Sequence, residues 1–249
     1  MFGAGTPGLG VLISLVLGMG CAAMNTAPAG YAIQKKTMKI GSGPILRYTL
    51  ALPPSFSPGH RYPLIVALHY GGPVTPYYGE PFLANLILPG LGGIDAFMVA
   101  PDCPGETWTE PLSEEAVLGL IRRIEEDHPV DPGRIVLTGF SLGAIGTWKL
   151  ALQNPGIFSA AIPISGMPPR GVAVGPAAPP FWVIHSLSDE IFPLEPLRTF
   201  IGFCEKRGLR IEFRPVPGLS HYRYDAFVPA LREAVPWLEA IWRKKKSSE

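Results

Sequence analysis

Cysteine is scarce, three residues in 249, and no Cys-x-x-Cys or His-Glu-x-x-His spacing occurs. That excludes a disulfide-built scaffold and gives no indication of a structural or catalytic metal or of any cofactor. An excess of charge of one sign is also missing: 21 basic and 20 acidic residues leave a formal +1. Nothing therefore points to nucleic acid or to a strongly acidic ligand, and a neutral or apolar one fits better. The terminal run Arg243-Lys244-Lys245-Lys246 reads as a solvated helix end and receives no function. No internal repeat is present, and the one biased tract is the proline-rich stretch from Met167 to Pro180.

An apolar run from Leu9 to Met19 is too short for a membrane span of about 20 residues, but it suits the h-region of a signal peptide. Small residues follow, Gly20-Cys21-Ala22-Ala23, and then the flexible stretch Asn25 to Gly30. The expectation is a leader and linker over residues 1–30, an exported protein (periplasmic, extracellular or lipid-anchored to the cell envelope), and one α/β domain over residues 31–249. No Lys or Arg precedes the run, so only the terminal amine supplies the positive n-region. Cys21 also resembles a bacterial lipoprotein cleavage site, which would attach the protein to a membrane through a lipidated cysteine, although Gly18 and Met19 are not the favoured residues before it. An uncleaved anchor and a misassigned start are the remaining readings. In an exported protein Cys103 and Cys204 could pair; two unpaired, partly buried thiols is the simpler alternative.

Beyond the leader, short apolar runs alternate with helical segments, the pattern of a mostly parallel sheet covered on both faces. Strands are expected at Ile45–Leu52 (antiparallel), Pro63–His69 (central), Ala96–Ala100, Arg134–Thr138, Phe158–Ile164, Phe181–His185 and Leu209–Val216. Pro163 demands an end position or a bulge in its strand. Helices are expected at Glu114–Asp127 with Ser113 as cap, after Gly143, at Leu194–Lys206 and at about Tyr224–Trp242. The Tyr70–Asp95 segment is long for a strand-to-helix connection and carries Tyr70, Tyr77, Tyr78 and Phe82, which places it as a pocket wall.

The most informative stretch is Gly139-Phe140-Ser141-Leu142-Gly143, a GxSxG between an apolar strand and a helix. A serine hydroxyl is a weak nucleophile at neutral pH, so it must be exposed on a sharp turn beside a base and oxyanion donors. The two glycines leave room for such a turn, and the helix that follows aims its amides and positive dipole end at the serine. Taken alone, five residues are a weak pattern in a chain with 29 glycines. Their partners give it weight. His221 follows the last strand and precedes the last helix, where a base should enter, and Asp189 stands in the loop after the penultimate strand. Glu190 is the only near rival for the acid, with a solvent-facing glutamate as its blander reading; Asp225 reads as a helix start, His128 as a helix-terminal cation and His185 as structural. Serine, acid and histidine lie 48 and 32 residues apart, in the order Ser141, Asp189, His221. Leu142 N–H is the first expected oxyanion donor, and Gly71 N–H, in the loop His69-Tyr70-Gly71-Gly72 after the central strand, the second. Tyr70, Trp108 and Tyr222, with Tyr224, are aromatic candidates for substrate contact, packing against the domain being the more frequent role of loop aromatics.

Residues from about Ile45 to Trp242 resemble an α/β-hydrolase, in particular the esterase and dienelactone-hydrolase-like branch with its feruloyl esterases, polyhydroxybutyrate depolymerases and predicted peptidases. Asp131 to Trp148 carries the most specific likeness, well beyond GxSxG, and His185 to Pro193 resembles that branch's acid loop. Two positions depart from its pattern: Ser186 stands where glycine is usual, and His69-Tyr70 replaces the usual His-Gly, which bears on the second oxyanion donor and on the acyl pocket. The resemblance implies an α/β-hydrolase fold, with only about residues 165–180 where a cap domain would be inserted, hence no large cap. It also implies a serine hydrolase acting on small-molecule or polymeric carboxylic esters through an acyl-enzyme. The alternatives are a serine peptidase of the same fold and a non-catalytic envelope binding protein; a His221 turned away from Ser141 would favour the latter.

Overall fold

The pattern of side chains along the central strands sets the architecture, which was obtained as a computed structural model describing residues 30–246. The expected leader, including Cys21, lies almost wholly outside the described residues. Every residue of β3 (Tyr62–Leu68) is buried. Leu64, Val66 and Leu68 face one core, whereas Ile65 and Ala67 face a second. β4 (Phe97–Pro101) divides in the same way, Phe97 and Val99 against Met98 and Ala100. A strand buried on both faces reads as an unbroken apolar run, and its twofold periodicity emerges only when each face meets its own layer.

Eight strands form one sheet in the order β1-β2-β4-β3-β5-β6-β7-β8, the remaining members being β1 (Ala32–Lys39), β2 (Ile45–Leu52), β5 (Val130–Phe140), β6 (Ala160–Ile164), β7 (Phe181–Ser186) and β8 (Ile211–Val216). β1 and β2 run antiparallel to their neighbours, and the other strands are mutually parallel. α3 (Pro111–Asp127), α4 (Leu142–Gln153) and α5 (Leu194–Glu205) cover one face. The opposite face is covered by α1 (Gly79–Phe82), a π-helical turn (Leu83–Ile87), α2 (Leu88–Leu91), α6 (Val228–Arg232) and α7 (Ala234–Lys246). The protein thus has the α/β-hydrolase fold, and residues 165–180, with no helix or strand, leave the carboxyl edge of the sheet without a large cap.

Some local expectations differ from the structure, each for an identifiable reason, and others hold. β1 was not anticipated, because its lysine-rich sequence AIQKKTMK is half exposed at the sheet edge. Ser113 is not the cap of α3: the helix starts earlier, with Pro111 in its first turn and Glu110 at the cap position, and the Ser113 hydroxyl donates to Thr107 O at 2.7 Å. The last helix is broken into a 3-10 turn (Tyr224–Phe227), α6 and α7, where Pro229 and Pro236 lack the amides a continuous helix needs. The long Tyr70–Asp95 connection is helical over Gly79–Leu91, and its Phe82, Leu83, Leu86, Ile87, Leu88 and Leu91 are buried in the second core. Pro163 sits one residue from the end of β6, where a missing amide costs little. Cys103 and Cys204 are both buried and unpaired.

The first core centres on Trp148, which is wholly buried, stacks on Phe181 at 4.6 Å and donates its indole N–H to Gly166 O at 3.3 Å. Trp148→Ala is expected to lower unfolding free energy by about 3–5 kcal/mol, read as a fall in the denaturant midpoint at unchanged m-value.

Candidate active site

The site begins with a strained turn. Ser141 ends the run of β5 into α4 with φ 55° and ψ −115°, a left-handed conformation that L-residues adopt only when their surroundings enforce it. Its amide donates to Ile164 O at 3.0 Å, and its carbonyl accepts the amides of Ala144 and Ile145 at 2.9 and 3.1 Å. A Cβ on Gly143 would overlap the Leu68 carbonyl, and one on Gly139 would overlap the Gly143 carbonyl. Both glycines are therefore dictated by backbone packing at the turn.

The Ser141 hydroxyl faces His221 Nε2 at 2.9 Å, and His221 Nδ1 faces Asp189 Oδ2 at 2.9 Å. With the proton on Nδ1, the imidazole donates to Asp189 and accepts from Ser141. His221 thus points at the serine, neither into the core nor into a competing ion pair; it is 6 % exposed, between the rings of Phe140 and Phe192. The Asp189 side chain is fully buried, and its Oδ1 accepts the amides of Ile191 at 2.9 Å and Phe192 at 2.8 Å. Burial alone would raise its pKa, but the bonds from His221, Phe192 and Ile191 outweigh it and hold the carboxyl below the ordinary range. Asp189 stays ionised at neutral pH.

Gly71 abuts Leu142: a Cβ there would lie 3.6 Å from the Leu142 side chain, an ordinary contact, so packing does not itself demand glycine at this position. Gly72 is the residue whose backbone requires it, with φ 144° and the Tyr78 hydroxyl where a Cβ would stand. The loop is pinned from beneath. His69, 1 % exposed, donates from Nδ1 to Tyr70 O at 2.7 Å and accepts the Cys103 amide at Nε2, 3.0 Å away, while Trp108 donates to His69 O at 2.9 Å. Burial drives the His69 pKa down to about 4, keeping the ring neutral.

The aromatic candidates separate. Trp108 is corrected: it is 0 % exposed, packed beside Gly146 and His69, and has no face to offer a substrate. Tyr222 is 73 % exposed next to His221 and remains available. Tyr70 is half-buried, its ring among Tyr78, Phe82 and Tyr224 at 5.7, 6.1 and 4.8 Å, so it braces the loop against the segment following His221. Burial raises its phenol pKa far above the ordinary value.

Two polar residues carry roles that the sequence did not suggest, and a third, His185, has the structural role expected of it. Glu190 accepts the His221 amide at 2.7 Å and so is more than a solvent-facing neighbour. Asp102, buried at the end of β4, accepts the amides of Tyr77 and Gly79 at 2.8 and 3.3 Å and holds Tyr77 at φ 63°. His185 donates from Nε2 to Phe192 O at 2.8 Å, steadying the loop that binds Asp189, and burial lowers its pKa. An acidic residue one position past Asp189, or directly after β4, was the available signal, but neither pattern names a backbone partner. Among the described residues no group of three or more His, Cys, Asp or Glu side chains is placed to hold a metal, and no helix is long and apolar enough to cross a membrane.

Residues 65–246 match the model of the Alpha/beta hydrolase family, and the chain belongs to that family. It is 26 % identical over 188 residues to a probable feruloyl esterase C of Aspergillus flavus, covering 70 % of this chain and 67 % of that protein. A shorter stretch of 65 residues, 26 % of this chain and 16 % of its counterpart, is 37 % identical to a poly(3-hydroxyalkanoate) depolymerase C of Paucimonas lemoignei. The solved structure of a thermostable esterase shares the fold with a TM-score of 0.70 and 24 % identity, over 84 % of this chain and 62 % of that one.

His69 makes the stability of the fold depend on pH. Its folded pKa lies below the unfolded value of 6.5, so the unfolded chain takes up the proton first. The associated stability, on the order of 3 kcal/mol, is complete above about pH 6.5 and is lost as pH falls toward 4. Denaturant unfolding from pH 7 to 4 should show a shallower loss of stability in His69→Gln than in the native protein.

Proposed function

We propose that this member of the alpha/beta hydrolase family is a serine hydrolase of carboxylic esters, with Ser141 as nucleophile, His221 as general base and acid, and Asp189 as the group orienting His221. The observation that carries this reading is the continuous bond sequence from Asp189 Oδ2 through both ring nitrogens of His221 to Ser141 Oγ. The esterases among its relatives support ester chemistry in particular.

In the proposed cycle Ser141 Oγ attacks the ester carbonyl carbon while its proton passes to His221 Nε2. Negative charge collects on the former carbonyl oxygen, with Leu142 N–H and Gly71 N–H as the proposed donors, each worth about 3 kcal/mol at such a site. Asp189 stabilises the imidazolium through Nδ1–H without taking its proton. Collapse expels the alcohol, which receives the Nε2 proton, and leaves the acyl group on Ser141. Water then attacks the acyl carbon, again giving a proton to Nε2, and collapse releases the acid and restores the Ser141 hydroxyl. The open carboxyl edge suits the ester of a bulky acid or alcohol, or one borne on a polymer, and exposed Tyr222 at the rim is a proposed substrate contact.

Purified protein should hydrolyse short-chain p-nitrophenyl esters and be labelled by a fluorophosphonate probe. Ser141→Ala should abolish labelling and reduce kcat by at least about 10³-fold at unchanged folding. Absence of both turnover and labelling in the native protein would overturn the assignment, and labelling that persists in Ser141→Ala would place the nucleophile elsewhere.

Export by the leader belongs to the same proposal. In a bacterial host the mature protein should lack the leader, by intact mass. If Cys21 carries lipid, the native protein should sediment with membranes and Cys21→Ala should not; a full-length cytoplasmic product would contradict export.

A further inference from the structure

Two side chains flanking Asp189 make bonds that proton transfer itself does not use. Ser186, wholly buried at the end of β7, donates its hydroxyl to Leu219 O at 2.5 Å and accepts the Ser188 amide at 3.1 Å. Glu190 is exposed, yet its Oε2 accepts the main-chain amide of His221 at 2.7 Å, and its carboxylate also bonds the Ser220 side chain. The loop bearing the acid and the loop bearing the base are thus tied at three places in order: Ser186 to Leu219, Asp189 to the His221 ring, and Glu190 to the His221 backbone.

These ties have unequal consequences. Asp189 orients the ring but leaves the His221 backbone free to rock about the Nδ1 bond. Glu190 removes that freedom at the residue itself, and Ser186 anchors the chain two residues earlier. A glycine at 186 could make neither of the Ser186 side-chain bonds. Catalytic groups must be held within roughly 0.5 Å of productive geometry, and a misplacement of about 1 Å can cost 10²-fold. An exposed glutamate gives up rotamer freedom to hold one bond, so the bond must be strong enough to offset that loss; a carboxylate accepting a backbone amide is among the stronger hydrogen bonds available. Its carboxyl is accordingly held below the ordinary value, chiefly by the His221 amide.

We propose that Glu190 and Ser186 are positioning residues that clamp the acid loop to the histidine loop and thereby keep His221 Nε2 on Ser141. The clamp rests on the serine-hydrolase reading above. It acts chiefly through acceptor and donor geometry, to which the charge on Glu190 adds strength: a glutamine, whose amide oxygen also accepts, should retain most of the function.

The test is steady-state kinetics on a p-nitrophenyl ester with native protein, Glu190→Ala, Glu190→Gln and Ser186→Ala, together with fluorophosphonate labelling rates. Glu190→Ala should lower kcat about 10- to 100-fold with KM within about threefold, and should slow labelling in parallel. Glu190→Gln should stay within about threefold of native kcat, and Ser186→Ala should lose about 10-fold. If Glu190→Ala aggregates, Glu190→Met, which keeps the length but has no acceptor, gives the same contrast with Glu190→Gln. Native kcat in Glu190→Ala, a loss confined to KM, or equal impairment of the Gln and Ala variants would each overturn the clamp. Inactive native protein would instead sink the serine-hydrolase reading on which it depends.

Discussion

The structure depends on a single backbone constraint, the reversal of β5 into α4 at Ser141. A serine at φ 55° is unfavourable by itself, and here it is held by its amide bond to Ile164, by two amides on its own carbonyl and by close backbone packing at Gly139 and Gly143. Gly143 lies against Leu68, and Leu68 ends the central strand just before His69 and Tyr70. The turn therefore sets two things together: where the hydroxyl projects and how near the following loop approaches Leu142. The two apolar cores on either side of the sheet make this possible, because a strand fixed on both faces cannot relax to relieve a strained end.

Around that turn the polar groups form a connected support. His69 and Trp108 hold the loop beside Leu142 from beneath, Asp102 holds the Tyr77 end of the same segment, and Tyr70 joins it to Tyr224 beyond His221. On the opposite side Ser186, His185 and Glu190 secure the loops that carry Asp189 and His221. Burial keeps His69 and His185 neutral, whereas the bonds from His221, Phe192 and Ile191 keep Asp189 ionised.

Legibility in the sequence followed the range of the interaction. The parallel strands, the elbow and the order Ser141, Asp189, His221 could be read, since each rests on local periodicity, on glycine sterics or on position relative to a strand end. β1 escaped because an edge strand rich in lysine lacks an apolar period. Trp108 could be offered as a substrate contact or as domain packing, and only the structure selects packing, because a loop tryptophan carries no mark of the helix that covers it, here at Gly146. Glu190, Asp102 and Ser186 were opaque for a further reason: each binds backbone amides or carbonyls, and sequence does not record which amide a distant carboxylate will meet. The departure at Tyr70 was visible, but its packing against Phe82 and Tyr224 needed three separated segments brought together.

Intact-protein mass spectrometry tests the proposed acyl-enzyme at Ser141 most directly. Protein quenched in acid during turnover of a slowly deacylating aryl ester should gain the mass of one acyl group, and peptide mapping should locate it on the segment containing Ser141. Product accumulating with no acyl adduct, or an adduct on another residue, would contradict it.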